Sequence, residues 1–309
     1  MTRLFGVIGD PISHSLSPVL HGAALRAMRL DALYAPFEVP RRDLAAMLRG
    51  LILAGVEGLN VTVPLKEAVM PLMDRLDQSA KEAGAVNTIL IRRRRTIGYN
   101  TDGAGFLLAL RELGWSPRPL GASGHHQGFR LGMSPKGHGS LRRSGRVLVA
   151  PPAHAVILGA GGSARAVASS LAGAAGVRLT IANRGIARAG RLARRLAGRH
   201  PSLRVRAVPL REVTLEDASL LVNATTVGMD PGDGLPVSLA TLRRDALVYD
   251  LVYHRETALV RSARRAGCIA ANGGSMLLYQ GAEALRLWLH RAPPLDIMRR
   301  ALQRALRDS

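Results

Sequence analysis

Apolar runs and apolar stripes take turns along this chain. The stretch "LFGVIG" at 4–9 is a short continuous apolar run of the kind a buried strand makes, and positions 18–29 then carry apolar residues at helical spacing. The alternation continues with a strand over 32–38, a helix over 41–53, the run "GLNVTVP" at 58–64, a helix over 66–77 and a β-hairpin over 85–99. A further helix opens after Asp102 in "GAGFLLALRELG", with Gly114 as its stop. Strands alternating with helices predict a mainly parallel α/β sheet.

From 116 to 153 the pattern lapses into Gly, Pro, Ser and Arg, apart from the short apolar "VLVA". This reads as a surface insertion or linker with much mobile chain. His125, His126 and His138 fall in it with no acidic or cysteine partners nearby, so a solvated loop is expected there rather than a metal site. The rhythm resumes at "AVILGAGGSARAVASSLAGAAG", followed by strand-like "VRLTIAN", "RVRAVPL", "LLVNAT" and "ALVYDLVY" with helical stretches between most of them. That is the pattern of a second, doubly wound sheet. The end, "SMLLYQGAEALRLWLHRA" and "PLDIMRRALQRAL", forms two amphipathic helices.

Composition changes this picture little. With 309 residues and 47% hydrophobic content the chain has room for two domains and a sizeable core. Its longest apolar runs fall far short of a membrane span, mean hydropathy is only +0.09, and the start lacks the apolar segment of a signal peptide. The lone Cys268 excludes an intramolecular disulfide and a cysteine zinc site. A cytoplasmic protein with no membrane partner and no metal is expected.

Charge is the unusual feature. The formal net charge is +21, and 40 of the 43 basic residues are arginine. Such an excess draws polyanions. The arginines are nevertheless spread along the chain, aromatic residues amount to 4%, and no helix-turn-helix, zinc or RNA-binding signature accompanies them. No specific nucleic-acid partner is expected, and a non-catalytic polyanion binder stays the alternative of a different class. The block "RRRR" at 92–95 is expected at a solvated hairpin tip, because like charges cannot crowd inside.

Two places carry chemistry. In "AVILGAGGSARA" a strand run, a glycine turn and a helix start follow one another. Gly159 makes the tight turn, Gly161 removes a Cβ that would collide with a pyrophosphate, Gly162 keeps the turn thin, and Ala164 lies where the helix packs on the sheet. Free N–H groups of Ala160 to Ala164, Ser163 included, then face phosphates. A dinucleotide site follows from that context. An NAD site would carry an acid at the end of the next strand; here stand Asn183, Arg184 and, further on, Arg188. Guanidinium groups pair with a 2′-phosphate that a carboxylate would repel, so NADP is the expected cofactor.

The second place is Lys66 in "NVTVPLKEAV", one of three lysines in the chain. Reducing a ketone needs a proton for the oxygen as hydride reaches the carbon. A lysine near apolar walls can release one, whereas arginine holds its proton too tightly. The bland alternative is an exposed lysine in a helix's first turn.

Its company decides the matter. "GDPISHSLSPVLHG", "NVTVPLK", "GAVNT", "GYNTDGAG", "GAGGSARA", "NRGIAR", "NATTVGM", "DLVYHRET" and "NGGSMLLYQGA" stand in the order of the shikimate dehydrogenase family, which the chain resembles nearly throughout except at about 116–153. The resemblance implies NADPH-dependent reduction of 3-dehydroshikimate to shikimate, in the biosynthesis of chorismate and the aromatic amino acids. It implies that Lys66 and Asp102 are the acid–base pair. Ser15 and Ser17 would hold the substrate carboxylate, with Asn60, Thr62, Asn87, Asp102, Tyr253 and Gln280 around the rest of it. Gly159, Ala160, Gly161, Gly162, Ser163, Ala164, Asn183, Arg184, Arg188, Thr225, Leu251, Gly273 and Met276 would line the cofactor. Asp102 also precedes an apolar helix and could cap it, and Ser15 and Ser17 could be turn residues before Pro18. The implied fold is an N-terminal α/β substrate domain of residues 1–101 plus 273–309 and a Rossmann-type doubly wound NADP-binding domain of 102–272. The working unit would be a monomer or homodimer.

Five positions depart from the family's pattern: Gly22 for Asn, Gly185 for Thr, Arg255 for Pro, Thr226 for Ser and Asn272 for Asp. None removes a proposed acid, base or carboxylate anchor, and Gly185 bears on cofactor affinity. The enzymatic alternative is an NAD-preferring quinate/shikimate dehydrogenase, against which stand the paired serines and the missing acid.

Overall fold

The computed structural model describes residues 2–115, 154–174 and 176–308. The expected insertion and its three histidines lie outside the described residues.

In the first half the elements are β1 (Arg3–Gly9), α1 (Ser17–Ala27), β2 (Ala32–Glu38), α2 (Leu44–Leu53), β3 (Val56–Val61), β4 (Arg75–Leu76), α3 (Gln78–Ala83), β5 (Thr88–Arg92), β6 (Arg95–Tyr99) and α4 (Asp102–Glu112). The second half follows with β7 (His154–Leu158), α5 (Gly162–Ala172), β8 (Arg178–Asn183), α6 (Ile186–Arg199), β9 (Arg204–Pro209), β10 (Leu220–Asn223), β11 (Leu247–Asp250), α7 (Ala258–Arg265), β12 (Ile269–Asn272), α8 (Gly274–Leu289) and α9 (Leu295–Ala305).

The strands form two sheets. The first runs β2-β1-β3-β5-β6-β4, parallel from β2 to β3, with β5 and β6 as an antiparallel hairpin. The second runs β12-β11-β10-β7-β8-β9 with every neighbour parallel. Starting from β7, its strands sit in the order of a dinucleotide-binding sheet, whose switch point falls between β7 and β10. Both faces of this sheet are buried, so its strands read as continuous apolar runs such as "AVIL" and "LLV".

One expected element is corrected. No helix spans 66–77: Pro71 has no N–H to give an α-helical ladder, so the chain makes a single 3₁₀ turn at Met70–Leu72 and then the short β4. The apolar residues Leu65 and Val69 are buried all the same. The arginine block does form a hairpin tip, where exposed Arg93 and Arg94 take positive φ angles of 49° and 62°. Arg92 instead turns inward to Glu57 at 3.1 Å and to the carbonyl of Trp288.

Helices α4 and α8 carry the chain between the sheets and pack on each other. Met276, early in α8, belongs to the core of the second sheet with Phe106 and Tyr249. Leu285 and Trp288, late in α8, belong to that of the first with Phe5, Leu20 and Met298. Trp288 donates Nε1–H to the carbonyl of Ile89 at 3.0 Å and covers Gly58, where an added Cβ would lie 2.4 Å from the indole nitrogen. The end of α8 therefore packs on β3 and β5 of the first sheet, and α9 on α1 beside it.

Candidate active site

The segment after β3, the start of α4, the first turn of α5 and the second turn of α8 come together at one site. Its chemical centre is Lys66, which follows β3 in a turn held by Leu65 beneath it. Lys66 Nζ donates to Asp102 Oδ2 at 2.6 Å and to Ser163 Oγ at 3.1 Å. Lysine and aspartate are both buried, at 9% and 4% exposure, so Lys66 is not the exposed lysine of the bland reading.

Asp102 is fixed from the other side. Its Oδ1 accepts Asn87 Nδ2 at 2.8 Å, and its own N–H donates to Asn100 Oδ1 at 3.1 Å. The Asp102 side chain accepts no capping bond from α4; Thr101 occupies the N-cap position. Asn87 is the hub: its amide nitrogen also reaches Thr101 Oγ1 at 2.9 Å and Gln280 Oε1 at 3.2 Å, while its oxygen accepts the Thr101 N–H at 2.8 Å. A buried amide with both ends occupied cannot flip, so the carboxylate that Lys66 faces has one orientation.

The other candidates stand as follows. Asn60 Nδ2 donates to the Asn87 carbonyl at 3.3 Å and to Thr88 Oγ1 at 3.2 Å. Ser17, buried at the start of α1, donates its N–H to the half-buried Ser15 Oγ at 3.3 Å. Thr62 packs its methyl against Gly9. Tyr253 arrives from the far half: burial raises its phenol, and the backbone of Leu16 pulls it partly back. It therefore stands beside the Ser15–Ser17 segment. Gln280 reaches in from α8.

The glycine turn has the shape a pyrophosphate needs. Gly159 adopts φ +107°, and an added Cβ would lie 2.8 Å from the Ala224 carbonyl; only glycine serves there. A Cβ on Gly161 would meet nothing within 4 Å, so the face above it is open to a ligand. Gly162 lies against Lys66, whose Cβ would be 3.2 Å from an added one. Ala160 and Ala164 are buried behind the turn. Thr225, whose side chain bonds Asn223 at 2.7 Å, borders Gly159. Gly273 touches Leu251, where an added Cβ would lie 2.2 Å from its carbonyl oxygen, and Met276 follows one turn on. The open face, the free N–H groups at the start of α5 and the absence of an acid at the end of β8 fit NADP.

The end of β8 is less simple. Asn183 Nδ2 bonds the Gly185 carbonyl at 3.0 Å, and Arg184 is exposed, lining a groove of about 780 Å³ with Ile186, Pro209 and Arg211. This groove lies away from Lys66. At Lys66 itself the two halves meet, through its bonds to Asp102 and Ser163. Arg188, expected at the same phosphate, is paired with Glu67 at 2.8 Å. Of the departures, Gly185 leaves room, an added Cβ meeting only Asn183 Nδ2 at 3.7 Å, whereas one on Gly22 would lie 3.3 Å from the end of the Arg26 side chain, which would have to shift slightly. Asn272 bonds the Gly274 N–H, Arg255 reaches the Met229 carbonyl at 3.4 Å, and Thr226 is exposed.

Sequence reasoning missed three contributors. Tyr34 donates its hydroxyl to Asn60 Oδ1 at 2.9 Å; burial raises its phenol and the Ser17 side chain opposes this, placing the hydroxyl between two substrate candidates. His21 stacks on the Tyr34 ring at 4.4 Å. Thr101 ties Asn87 to the start of α4. Each looks like a core residue in the sequence, and only Thr101, next to Asp102, carried a positional hint.

A lysine–carboxylate pair held against a glycine turn on a doubly wound sheet defines a nicotinamide-dependent dehydrogenase fold. Residues 7–89 match the shikimate dehydrogenase substrate binding domain, 149–228 the shikimate/quinate 5-dehydrogenase family and 275–303 the shikimate 5′-dehydrogenase C-terminal domain. The chain is 44% identical to a shikimate dehydrogenase (NADP(+)) of Rubrobacter xylanophilus over 97% of this chain and 95% of the relative. Among solved structures, a shikimate dehydrogenase in complex with NADP+ superposes with a TM-score of 0.81 at 33% identity, covering 99% of this chain and 96% of that one. The Thermus thermophilus shikimate 5-dehydrogenase, in complex with NADP(H) and shikimate, superposes with a TM-score of 0.79 at 35% identity, covering 98% and 100%. The chain belongs to the shikimate dehydrogenase family.

Proposed function

We propose that the protein is an NADP-dependent shikimate dehydrogenase that interconverts 3-dehydroshikimate and shikimate, with Lys66 as the proton donor and acceptor. The observation that carries this is the buried 2.6 Å pair of Lys66 and Asp102 beside the glycine turn. The cofactor, when bound, supplies hydride to the carbonyl carbon. Lys66 gives its proton to the carbonyl oxygen in that direction and takes it from the hydroxyl in the other. Asp102 orients the ammonium through the 2.6 Å bond.

We assign the substrate carboxylate to Ser15 and Ser17 and the ring hydroxyls to Asn60, Thr62, Asn87, Tyr253 and Gln280. These groups are hydroxyls and amides already oriented by their neighbours, so a substrate lacking a partner hydroxyl would leave buried polar atoms unpaired, which gives sharp selectivity. Arg184 and Arg188 are assigned to the 2′-phosphate. The substrate domain comprises 1–101 and 273–309 and the cofactor domain 102–272, in keeping with chain crossings at α4 and α8. No helix among the described residues is long and apolar enough to cross a membrane. A cytoplasmic enzyme working as one chain or as a pair fits this reading.

Initial rates with shikimate and quinate against NADP+ and NAD+ test it. Shikimate with NADP+ is expected to be the fastest combination. A preference for quinate with NAD+ would replace the assignment.

A further inference from the structure

Glu67, the residue after Lys66, joins the two halves of the molecule. Its Oε1 accepts from Arg188 Nη2 at 2.8 Å and its Oε2 from Arg165 Nη2 at 3.0 Å. Arg165 stands in the first turn of α5, just after the glycine turn, and Arg188 in the first turn of α6, beside the end of β8. One carboxylate of the substrate side thus holds two guanidinium groups of the cofactor side.

Other bonds between the same faces differ in kind. Ser169 donates to the Glu82 carbonyl at 2.9 Å, Arg199 to the Lys81 carbonyl at 2.7 Å, and Arg195 to that same carbonyl. Those acceptors are neutral backbone oxygens at the end of α3, and their donors sit later in α5 and α6, away from the phosphate seat. They can persist with a cofactor in place. The Glu67 pair reaches the group that a 2′-phosphate needs. A carboxylate and a phosphate present the same pair of acceptor oxygens to a guanidinium fork, so Arg188 can serve one fully at a time.

We propose that Glu67 is a displaceable stand-in for the 2′-phosphate of NADP. It holds Arg188 across the cleft in the free enzyme and yields it to the phosphate on binding, keeping Arg165 as its remaining partner. Glu67 therefore lowers affinity for the phosphorylated cofactor selectively, and the release of Arg188 couples cofactor binding to loosening of the contact between the halves. The inference rests on the assignment of Arg188 to the 2′-phosphate.

The test is to measure dissociation constants of NADP+ and NAD+ with the full chain and with Glu67→Gln, Arg188→Leu and the double variant. Glu67→Gln is expected to tighten NADP+ about two- to fivefold, the range that breaking an exposed ion pair is worth, and to leave NAD+ unchanged. Arg188→Leu is expected to weaken NADP+ alone and to abolish the effect of Glu67→Gln in the double variant. If Arg188→Leu behaves so but Glu67→Gln leaves NADP+ unchanged, or tightens both cofactors equally, the stand-in is overturned and the phosphate assignment survives. If Arg188→Leu weakens neither or both alike, the assignment itself falls and the proposal with it. Should Glu67→Gln fail to fold, Glu67→Asp, which keeps the charge but shortens its reach, is expected to tighten NADP+ in the same sense, and no change there counts against the proposal.

Discussion

The ammonium of Lys66 lies 3.1 Å from the hydroxyl of Ser163, so the proposed proton donor touches the first turn of the helix that would receive the cofactor phosphates. With Asp102 on its other side, Lys66 is held at the meeting point of two separately built sheets. A residue so placed has little freedom to be replaced by another cation.

Lys66→Ala is expected to lower kcat by roughly 10²–10⁴-fold, the usual worth of a general acid–base group, while NADP+ still binds, because the glycine turn is built without the lysine side chain. Lys66→Arg restores the charge but not the proton transfer, since a guanidinium does not release its proton near neutral pH. Rates with shikimate and NADP+, alongside a cofactor titration, check both. A Lys66→Arg enzyme with wild-type turnover would remove the mechanism.

Asn87 answers for the geometry rather than the proton. Truncating it to alanine strips Asp102 Oδ1 of its 2.8 Å donor and leaves the Thr101 N–H without its 2.8 Å acceptor. Each unsatisfied buried group costs about 1–3 kcal/mol, so Asn87→Ala is expected to lower the melting temperature as well as raise KM for shikimate. Thermal unfolding and steady-state kinetics on the same preparation separate the two effects; an unchanged KM would take Asn87 out of the substrate site.

Much of this is legible in the sequence. The alternation of buried runs and amphipathic stripes specifies both sheets, because β7 and β10 are buried on both faces and leave an uninterrupted apolar signature. Short elements were not legible: β4 has two residues, and β12, "IAAN", has too little pattern to stand out from a loop. The helix expected at 66–77 does not form because Pro71 has no N–H for its ladder, and the chain makes a single 3₁₀ turn instead. At the site, Lys66 stands out by residue type and Asp102 only through the family motif around it. Tyr34 and His21 did not, since an aromatic in a strand and a histidine in a helix look like packing until the fold brings them against Asn60 and Ser17.

His21 predicts an acid sensitivity. It is fully buried between Tyr34 and Trp288, at ring distances of 4.4 and 5.5 Å. Burial pushes its imidazole down to about 3; the Asn60 amide pulls the other way but makes no hydrogen bond of normal geometry to either ring nitrogen among the described residues. The unfolded chain then takes up a proton from about pH 6.5 downward that the folded chain refuses until about pH 3. Stability is therefore lost as pH falls through that window and is flat in this respect above it. Between pH 7.5 and 5.5 the loss is on the order of 1 kcal/mol. His21→Phe, which removes the titrating group and keeps a ring in the stack, is expected to reduce the loss by that amount, measured as denaturant midpoints at the two pH values. Equal losses in the variant and the parent would show that the histidine takes up its proton while folded.

Gly185 is the departure with the most direct consequence for the cofactor. It occupies the N-cap of α6 at φ −91° and ψ 96°, a conformation open to any residue, and no side chain caps the helix. An added Cβ would find only Asn183 Nδ2, at 3.7 Å, so the position has room for a threonine. The hydroxyl of Gly185→Thr would accept an N–H of the first turn and donate towards a 2′-phosphate beside Arg184. Replacing glycine at an N-cap gains only a few tenths of a kcal/mol, so the melting temperature should barely move. A hydrogen bond to a charged group is worth about 1.5 kcal/mol or more, which predicts roughly tenfold tighter NADP+ binding with NAD+ unaffected. Parallel titrations decide it: tightening of both cofactors, or of neither, would mean that the 2′-phosphate does not sit over the start of α6.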